Sequence, residues 1–265
     1  MTTLGVIFPP DLPPERLRTV AVAAEESGVP QLWLWEDCFK ESGIATAAAA
    51  LAWTERMAVG IGLLPVPLRN VALTAMEIAT VERLFPGRFV PGVGHGVLDW
   101  MAQVGSRADS PMTLLREYTS ALRALLHGET VTVSGRYVTL DRVALDWPPA
   151  TPPPVLVGAV RERTLSLAGE LADGVIFTGE TTPADLRAGL VHQRAGRSAA
   201  RHTGTGDVVV FADVPDSSPA EAIAQRVRDL AEAGATHVPL LAVGGSMPLE
   251  RFATFVGEQV RPLVG

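Results

Sequence analysis

The residues best suited to chemistry fall in a few short stretches. Trp33-Leu34-Trp35-Glu36-Asp37 sets two carboxylates beside two indoles. Aromatic walls with a few fixed polar groups suit a flat ligand. The plainer reading is that Asp37 caps the next helix and the tryptophans are core. Gly94-His95-Gly96 leaves one imidazole on otherwise bare backbone. Histidine changes charge near neutral pH and so can pass a proton, although a glycine loop also carries histidines for structural reasons. No second histidine stands at ligand spacing, so no metal is expected. Gly158-Ala159-Val160-Arg161 and Phe177-Thr178-Gly179 each leave an apolar run for a loop before a helix. Free backbone N–H groups at a helix start, with an arginine or a hydroxyl beside them, can hold a phosphate. Gly244-Gly245-Ser246 is a rival anion loop. Gly60-Ile61-Gly62-Leu63-Leu64 puts glycines inside an apolar run, where a backbone or a ligand approaches closely or a barrel turns a tight corner.

These stretches share a position, just after a short apolar run and just before a helical pattern. Such runs cover residues 4–8, 31–35, 57–64, 88–93, 154–158, 174–178, 208–214 and 237–243. Between them the helical period recurs: Leu17, Val20, Ala21 and Ala24; then Val71, Ala75, Ile78, Val81 and Phe85 after a capping Asn70; then Leu115, Tyr118, Leu122 and Leu125 after Ser110-Pro111. Ser218-Pro219-Ala220-Glu221 has the form of a capping box. Eight strand–helix units with strands apolar on both faces predict a closed (β/α)8 TIM barrel, an α/β fold, over residues 1–265 as one domain. A doubly wound open sheet is the rival, but no G-x-G-x-x-G follows the first run. Residues 129–150, alternating around Ser134-Gly135 and then rich in proline, read as a hairpin insertion between the fourth and fifth units. In a barrel the chemistry belongs at the C-terminal ends of the strands, which is where the stretches above fall.

Composition narrows the partners. The 265 residues carry a net charge of −7 and are 47% hydrophobic, with mean hydropathy +0.23. An acidic chain lacks the basic footprint of a nucleic-acid binder. No apolar run reaches the roughly 20 residues of a membrane helix, and the N-terminus lacks the pattern of a secretory signal. The lone Cys38 allows neither an internal disulfide nor a cysteine zinc cluster. A cytoplasmic protein acting on a small molecule is the expectation. Lys40 is the single lysine and a poor Schiff-base candidate, which argues against a flavin-free phosphosugar lyase or isomerase.

Taken together the motifs resemble the luciferase-like monooxygenase superfamily, in its deazaflavin (coenzyme F420)-dependent oxidoreductase branch. The resemblance spans nearly the whole chain. It rests on Gly5-Val6-Ile7-Phe8-Pro9-Pro10, on Trp35-Glu36-Asp37, and on Gly62-Leu63-Leu64-Pro65-Val66-Pro67-Leu68-Arg69-Asn70. Pro86-Gly87-Arg88-Phe89 leading to Gly94-His95-Gly96, and Ala172-Asp173-Gly174-Val175-Ile176, complete it. It implies a cofactor laid across the strand C-terminal ends, with catalytic roles for Asp37 near the redox ring and His95 beside the reacting centre. Ile61, Gly62, Leu63 and Leu64 would back the ring, with a non-proline cis peptide near Ile61-Gly62. Glu36 and Gly94 join the cofactor-binding set, and Ala159, Val160, Arg161, Thr178 and Gly179 match phosphate-holding loops. A homodimer is implied as well. Two positions depart from the pattern: Cys38 where many relatives carry histidine, and Arg161 where they often carry glycine.

Three functions follow. The first is hydride transfer between F420 and a small organic substrate. The second keeps the fold with FMN as cofactor, making a monooxygenase. The third, suggested by Cys38, is a barrel that binds cofactor or ligand without turnover. F420 carries a longer acidic tail than FMN, so Arg69, Arg161 and Arg163 favour it. The outer loops, chiefly residues 97–109 and the hairpin, would set the substrate.

Overall fold

A computed structural model describes residues 2–202 and 206–264. Eleven strands form: β1 (Thr3–Ile7), β2 (Gln31–Leu34), β3 (Ala58–Pro65), β4 (Phe89–Gly94), β5 (Val131–Ser134), β6 (Thr139–Val143), β7 (Leu156–Gly158), β8 (Gly174–Phe177), β9 (Asp207–Val210), β10 (Ala212–Pro215) and β11 (His237–Val243). Nine of them lie in one parallel sheet ordered β1-β2-β3-β4-β7-β8-β9-β11-β10, and β1 pairs with β11, so the sheet closes. The run expected as one strand over 208–214 is broken at Phe211. β9 pairs with β8, whereas β10 pairs only with β11, because β8 has already ended at Phe177. Val209 stands opposite His237 and Ala212 opposite Leu240, three residues on in both chains, so the register does not slip. β9 and β10 are therefore two pieces of one stave. The barrel has eight staves, as the alternation predicts, and the rim is parted between β8 and β10.

Side chains alternate between two cores. One core lies between strands and helices. It takes Val6, Leu32, Val59, Val157, Val175, Val208 and Leu240 from the strands, and Val20, Ile78, Leu122, Leu165 and Val227 from the helix stripes. The other fills the barrel with Ile7, Trp33, Leu156, Ile176, Val209 and Phe211. That is the packing expected of strands covered on both faces.

Local punctuation agrees with the sequence in most places. Asn70 caps the helix Val71–Leu84, its Oδ1 accepting from the Ala72 amide at 2.9 Å. The hairpin forms from β5 and β6 and is fastened to the helix Pro111–Leu126, where the Glu117 carboxylate accepts the amides of Arg136, Tyr137 and Val138. The capping box expected at Ser218 does not form. Pro219 occupies the N-cap and no side chain caps the helix Ala220–Ala233, since Ser218 stands one residue too early. A box forms instead at Thr182 and Asp185, ahead of the helix Pro183–Ala199. Residues 98–103 of the expected outer loop make a short helix, Leu98–Gln103. No described helix is long and apolar enough to cross a membrane.

Candidate active site

The floor of the barrel mouth is aromatic. Trp33 is fully buried, with its Nε1 donating to Gln31 Oε1 at 3.1 Å, and its ring meets Phe211 edge-on at 5.7 Å. It is a core residue. Trp35, two positions nearer the mouth and half-buried, tilts against the same Phe211 at 6.1 Å and 32°. The β3 glycines make this floor possible. A Cβ on Gly60 would come within 2.5 Å of the Trp33 ring, and one on Gly62 within 2.7 Å of Phe211 Cζ. Close approach is thus required here, by the barrel's own aromatic side chains.

Beyond β2 the two carboxylates part ways. Glu36 is engaged on every side: Arg69 grips both its oxygens and the Gly43 amide donates to Oε2 at 2.8 Å. The carboxylate ties the end of β2 to the segment after β3 and helps Ser42 cap the helix Gly43–Ala52. Arg69 also reaches Glu77 at 3.2 Å, so its charge is neutralised where it stands. Asp37 does not cap that helix. It is half-buried, and among the described residues its carboxylate has no hydrogen-bond or ion-pair partner. Cys38, next to it, has its thiol pushed up by burial and by the charges of Glu36 and Asp37. At neutral pH it is a neutral thiol and no substitute for a histidine.

The β3–β4 edge carries the other expected residues. A non-proline cis bond joins Gly62 to Leu63, one residue beyond the expected place, and a second joins Cys38 to Phe39. The β3–β4 register shifts between Ile61 and Leu64. Ile61 and Leu64 are buried, whereas Leu63 extends across the neighbouring strands. A Cβ on Gly94 or Gly158 would sit 2.4 or 2.3 Å from Leu63 Cδ2. Leu63 thus covers the ends of β4 and β7 with an apolar surface. His95 follows Gly94 directly. Its Nδ1 is buried with no hydrogen-bond partner, and burial holds the imidazole below its ordinary pKa. A neutral imidazole with one unpaired nitrogen can accept or hand on a single proton.

The two phosphate-loop candidates adjoin. Gly158 pairs with Ile176, which carries Val160 level with Thr178. The helix Glu162–Leu171 starts here with Arg161 as N-cap and no capping side chain, unlike the helices begun by Ser42, Asn70 and Thr182. The Ala159 amide is already given to the Ile176 carbonyl at 3.0 Å, so Ala159, which is buried, offers a wall and no donor. Val160, Arg161 and Thr178 are exposed, and neither the Arg161 nor the Arg163 guanidinium has a partner among the described residues. The rival loop at Gly244-Gly245-Ser246 is closed to an outside anion. The Asp216 carboxylate accepts the Ser246 hydroxyl at 2.5 Å and the Met247 amide at 2.7 Å.

Two features were not singled out from the sequence. A cavity of about 400 Å³ lies outside the ring of strands, between residues 66–71, residues 105–108, Tyr118 and the hairpin residues Tyr137 to Thr139. The other is Asp213. It shares the inner face of the seventh stave with Val209 and Phe211 and stands opposite Leu241, which packs on the inner core. Its carboxylate lies against Gly179, where an added Cβ would be 2.0 Å from Oδ1. The signal was present in the sequence: Val209, Phe211 and Asp213 alternate with Val208, Val210, Ala212 and Val214, so the lone acid falls on the inward set.

The profile of the family described as "Luciferase-like monooxygenase" matches residues 2–242. The 5,10-methylenetetrahydromethanopterin reductase of Methanolobus tindarius is 26% identical to this chain, covering 97% of it and 83% of the relative. The F420-dependent glucose-6-phosphate dehydrogenase of Kineococcus radiotolerans is 30% identical over 79% of this chain and 67% of its own length. Among solved structures, an F420-dependent secondary alcohol dehydrogenase in complex with an F420–acetone adduct superposes with a TM-score of 0.90 at 18% identity, covering all of both chains. With a closed eight-stave barrel that, among the described residues, leaves Asp37, His95 Nδ1 and Asp213 unpaired at the strand C-terminal ends, this chain belongs to the luciferase-like monooxygenase family.

Proposed function

We propose that this chain is an F420-dependent oxidoreductase that moves hydride between the deazaflavin and a small organic substrate. The observation that carries the reading is the donor set of the mouth. An apolar floor of Leu63, Trp35 and Phe211 stands beside an uncapped ten-residue helix with two guanidiniums unpaired among the described residues. These residues fit a planar ring bearing a phosphate. Reductases and dehydrogenases that use or are named for related chemistry head the relatives above, which supports F420 over FMN, as do Arg161 and Arg163. Arg69 adds nothing to that choice, because Glu36 and Glu77 neutralise it.

In this reading the bound deazaflavin supplies the ring carbon that gives or takes hydride. The protein does the rest. The backbone N–H groups that open the helix Glu162–Leu171, with the Thr178 hydroxyl, the Gly179 loop and Arg161, hold the phosphate. Gly62, Leu63 and Gly94 form the surface behind the ring, whereas Ile61 and Leu64, expected there as well, turn their side chains outward into the strand–helix core against Gly43 and support it from behind. Glu36 acts from behind that wall, fixing the β2 end through Arg69. The aromatic floor keeps water from the reacting face. His95 moves the accompanying proton at Nδ1, and the unpaired Asp37 carboxylate orients the substrate or ring. The protein is a homodimer in this reading, which sedimentation measures directly.

Titrating the purified protein with F420 and, in parallel, with FMN tests the assignment. Perturbation of the deazaflavin spectrum with saturable affinity, and turnover over a panel of carbonyl, alcohol and imine substrates, is expected. FMN binding alone would make it a monooxygenase of the same family, and cofactor binding with no turnover across the panel would make it a carrier.

A further inference from the structure

Asp213 is a polar side chain for which the proposed chemistry has no task so far. It leaves the inner face of β10 two residues beyond Phe211, whose ring leans on Trp35, and it stands opposite Leu241. Below it the wall is thus aromatic and apolar. Beside it Gly179 has no side chain, and only a glycine leaves room there for the carboxylate. It lies where the rim is parted between β8 and β10, open to solvent at the mouth. Among the described residues it has no hydrogen-bond or ion-pair partner. The cation that acts on it, Arg226, already donates to the Thr181 carbonyl at 3.0 Å. Glu180 on the same rim adds negative charge, and burial together with that charge pushes the Asp213 carboxyl up from its ordinary value. The Arg161 side of the phosphate site supplies donors and cations, whereas its Gly179 side adjoins an acceptor and negative charge.

We propose that Asp213 selects the substrate: it accepts a hydrogen bond from a neutral or cationic donor group, a hydroxyl or an ammonium, carried on a body with a flat apolar face, and it repels substrates with an anionic head. The selection rests on the reading that this mouth is the active site of an oxidoreductase. An unpaired carboxylate at the mouth favours a donor and opposes a like charge, while the indole and phenyl below it take the apolar face.

Benzylamine, benzyl alcohol and benzoate share one ring and differ in the head group. Their affinities are read from the spectrum of bound, reduced F420, which cannot take hydride from the alcohol or the amine, so that no turnover intervenes. Failure of F420 to load overturns the cofactor reading alone, and the three probes are then read by tryptophan fluorescence on the unloaded protein. At about pH 8, where the carboxylate is charged, benzylamine is expected to bind at least about tenfold tighter than benzoate, with benzyl alcohol between. Asp213→Asn keeps the size of the side chain and should bring that ratio to within about twofold, with F420 affinity held or raised, because the carboxylate lies against Gly179 of the phosphate loop. Glu180→Gln, on an exposed side chain, should shrink it less. Benzoate binding as tightly as benzylamine, a ratio unmoved by Asp213→Asn, or no binding by any probe overturns the proposal. If Asp213→Asn does not fold, the ranking in the native chain and its change in Glu180→Gln decide.

Discussion

At the end of the barrel where the strands begin, most of the buried polar side chains are engaged by the protein itself; at the end where the strands finish, several are not. At the lower end the Glu25 carboxylate collects the amides of Glu55, Arg56 and Met57. Arg88 donates to the carbonyls of Thr54 and Met57. Asp173 accepts from the Val155 amide and from Arg123. At the upper end, among the described residues, Asp37 and Asp213 have no hydrogen-bond or ion-pair partner, His95 Nδ1 is buried and unpaired, and the helix Glu162–Leu171 is uncapped. Unpaired polar groups cost stability. Glu82 Oε2 is a buried exception at the lower rim, its partner oxygen taking the Gly87 amide; the groups left unpaired and within reach of the mouth are those at the upper rim, which is the rim suited to a ligand. The same contrast separates two motifs by which this chain resembles its family: Pro86-Gly87-Arg88-Phe89 is structural, whereas Gly94-His95-Gly96 faces the mouth.

The contrast predicts that substitutions at the two rims fail in different measurements. His95→Gln at the upper rim should lower turnover by about 10²- to 10⁴-fold, the usual reach of a proton-transfer group, with no loss of melting temperature. Equal losses in rate and stability would break the distinction. Arg88→Leu at the lower rim strands several carbonyl oxygens and should cost roughly 3 kcal/mol of unfolding free energy, read by denaturant titration, with F420 affinity unchanged. A weakened cofactor site in that variant would show that the two rims are coupled. Arg161→Ala removes one exposed, unpaired guanidinium and should weaken F420 binding by about three- to tenfold without altering stability. An unchanged dissociation constant would move the phosphate away from this helix start.

Much of this was legible in the sequence, for physical reasons. The eight staves follow from apolar runs of strand length separated by helical periods, and both signals are set by local geometry. The cap at Asn70 and the hairpin around Ser134-Gly135 follow from local chemistry as well, whereas the Glu117 carboxylate that fastens the hairpin meets it from about twenty residues away. What stayed hidden depended on pairing. Trp33 and Trp35 look equivalent as a dipeptide pattern, and only the depth of each in the lumen separates a core indole from a mouth indole. Glu36 and Asp37 are adjacent acids, yet only one meets Arg69. Gly244-Gly245-Ser246 has the composition of an anion loop, and nothing local announces that Asp216, almost thirty residues earlier, already fills it. The break at Phe211 arises because β8 ends before β10 does.

The smallest expected effect concerns the same histidine in the absence of any substrate. Burial holds the folded-state pKa of His95 below its ordinary value near 6.5. Below that ordinary value the unfolded chain takes up a proton that the folded chain resists. His95 therefore contributes stability that is fully present above about pH 6.5 and is lost as the pH falls towards the depressed folded-state pKa. The slope from this one group is bounded at about 1.4 kcal/mol per pH unit. Denaturant titrations of the native chain and of His95→Gln across that window give the difference directly. The native chain should lose stability with falling pH faster than the variant, and the gap should level off once both states are protonated. Parallel curves would mean that the imidazole is as well solvated as in the unfolded chain, so that the upper rim does not hold a neutral, unpaired nitrogen ready for a proton.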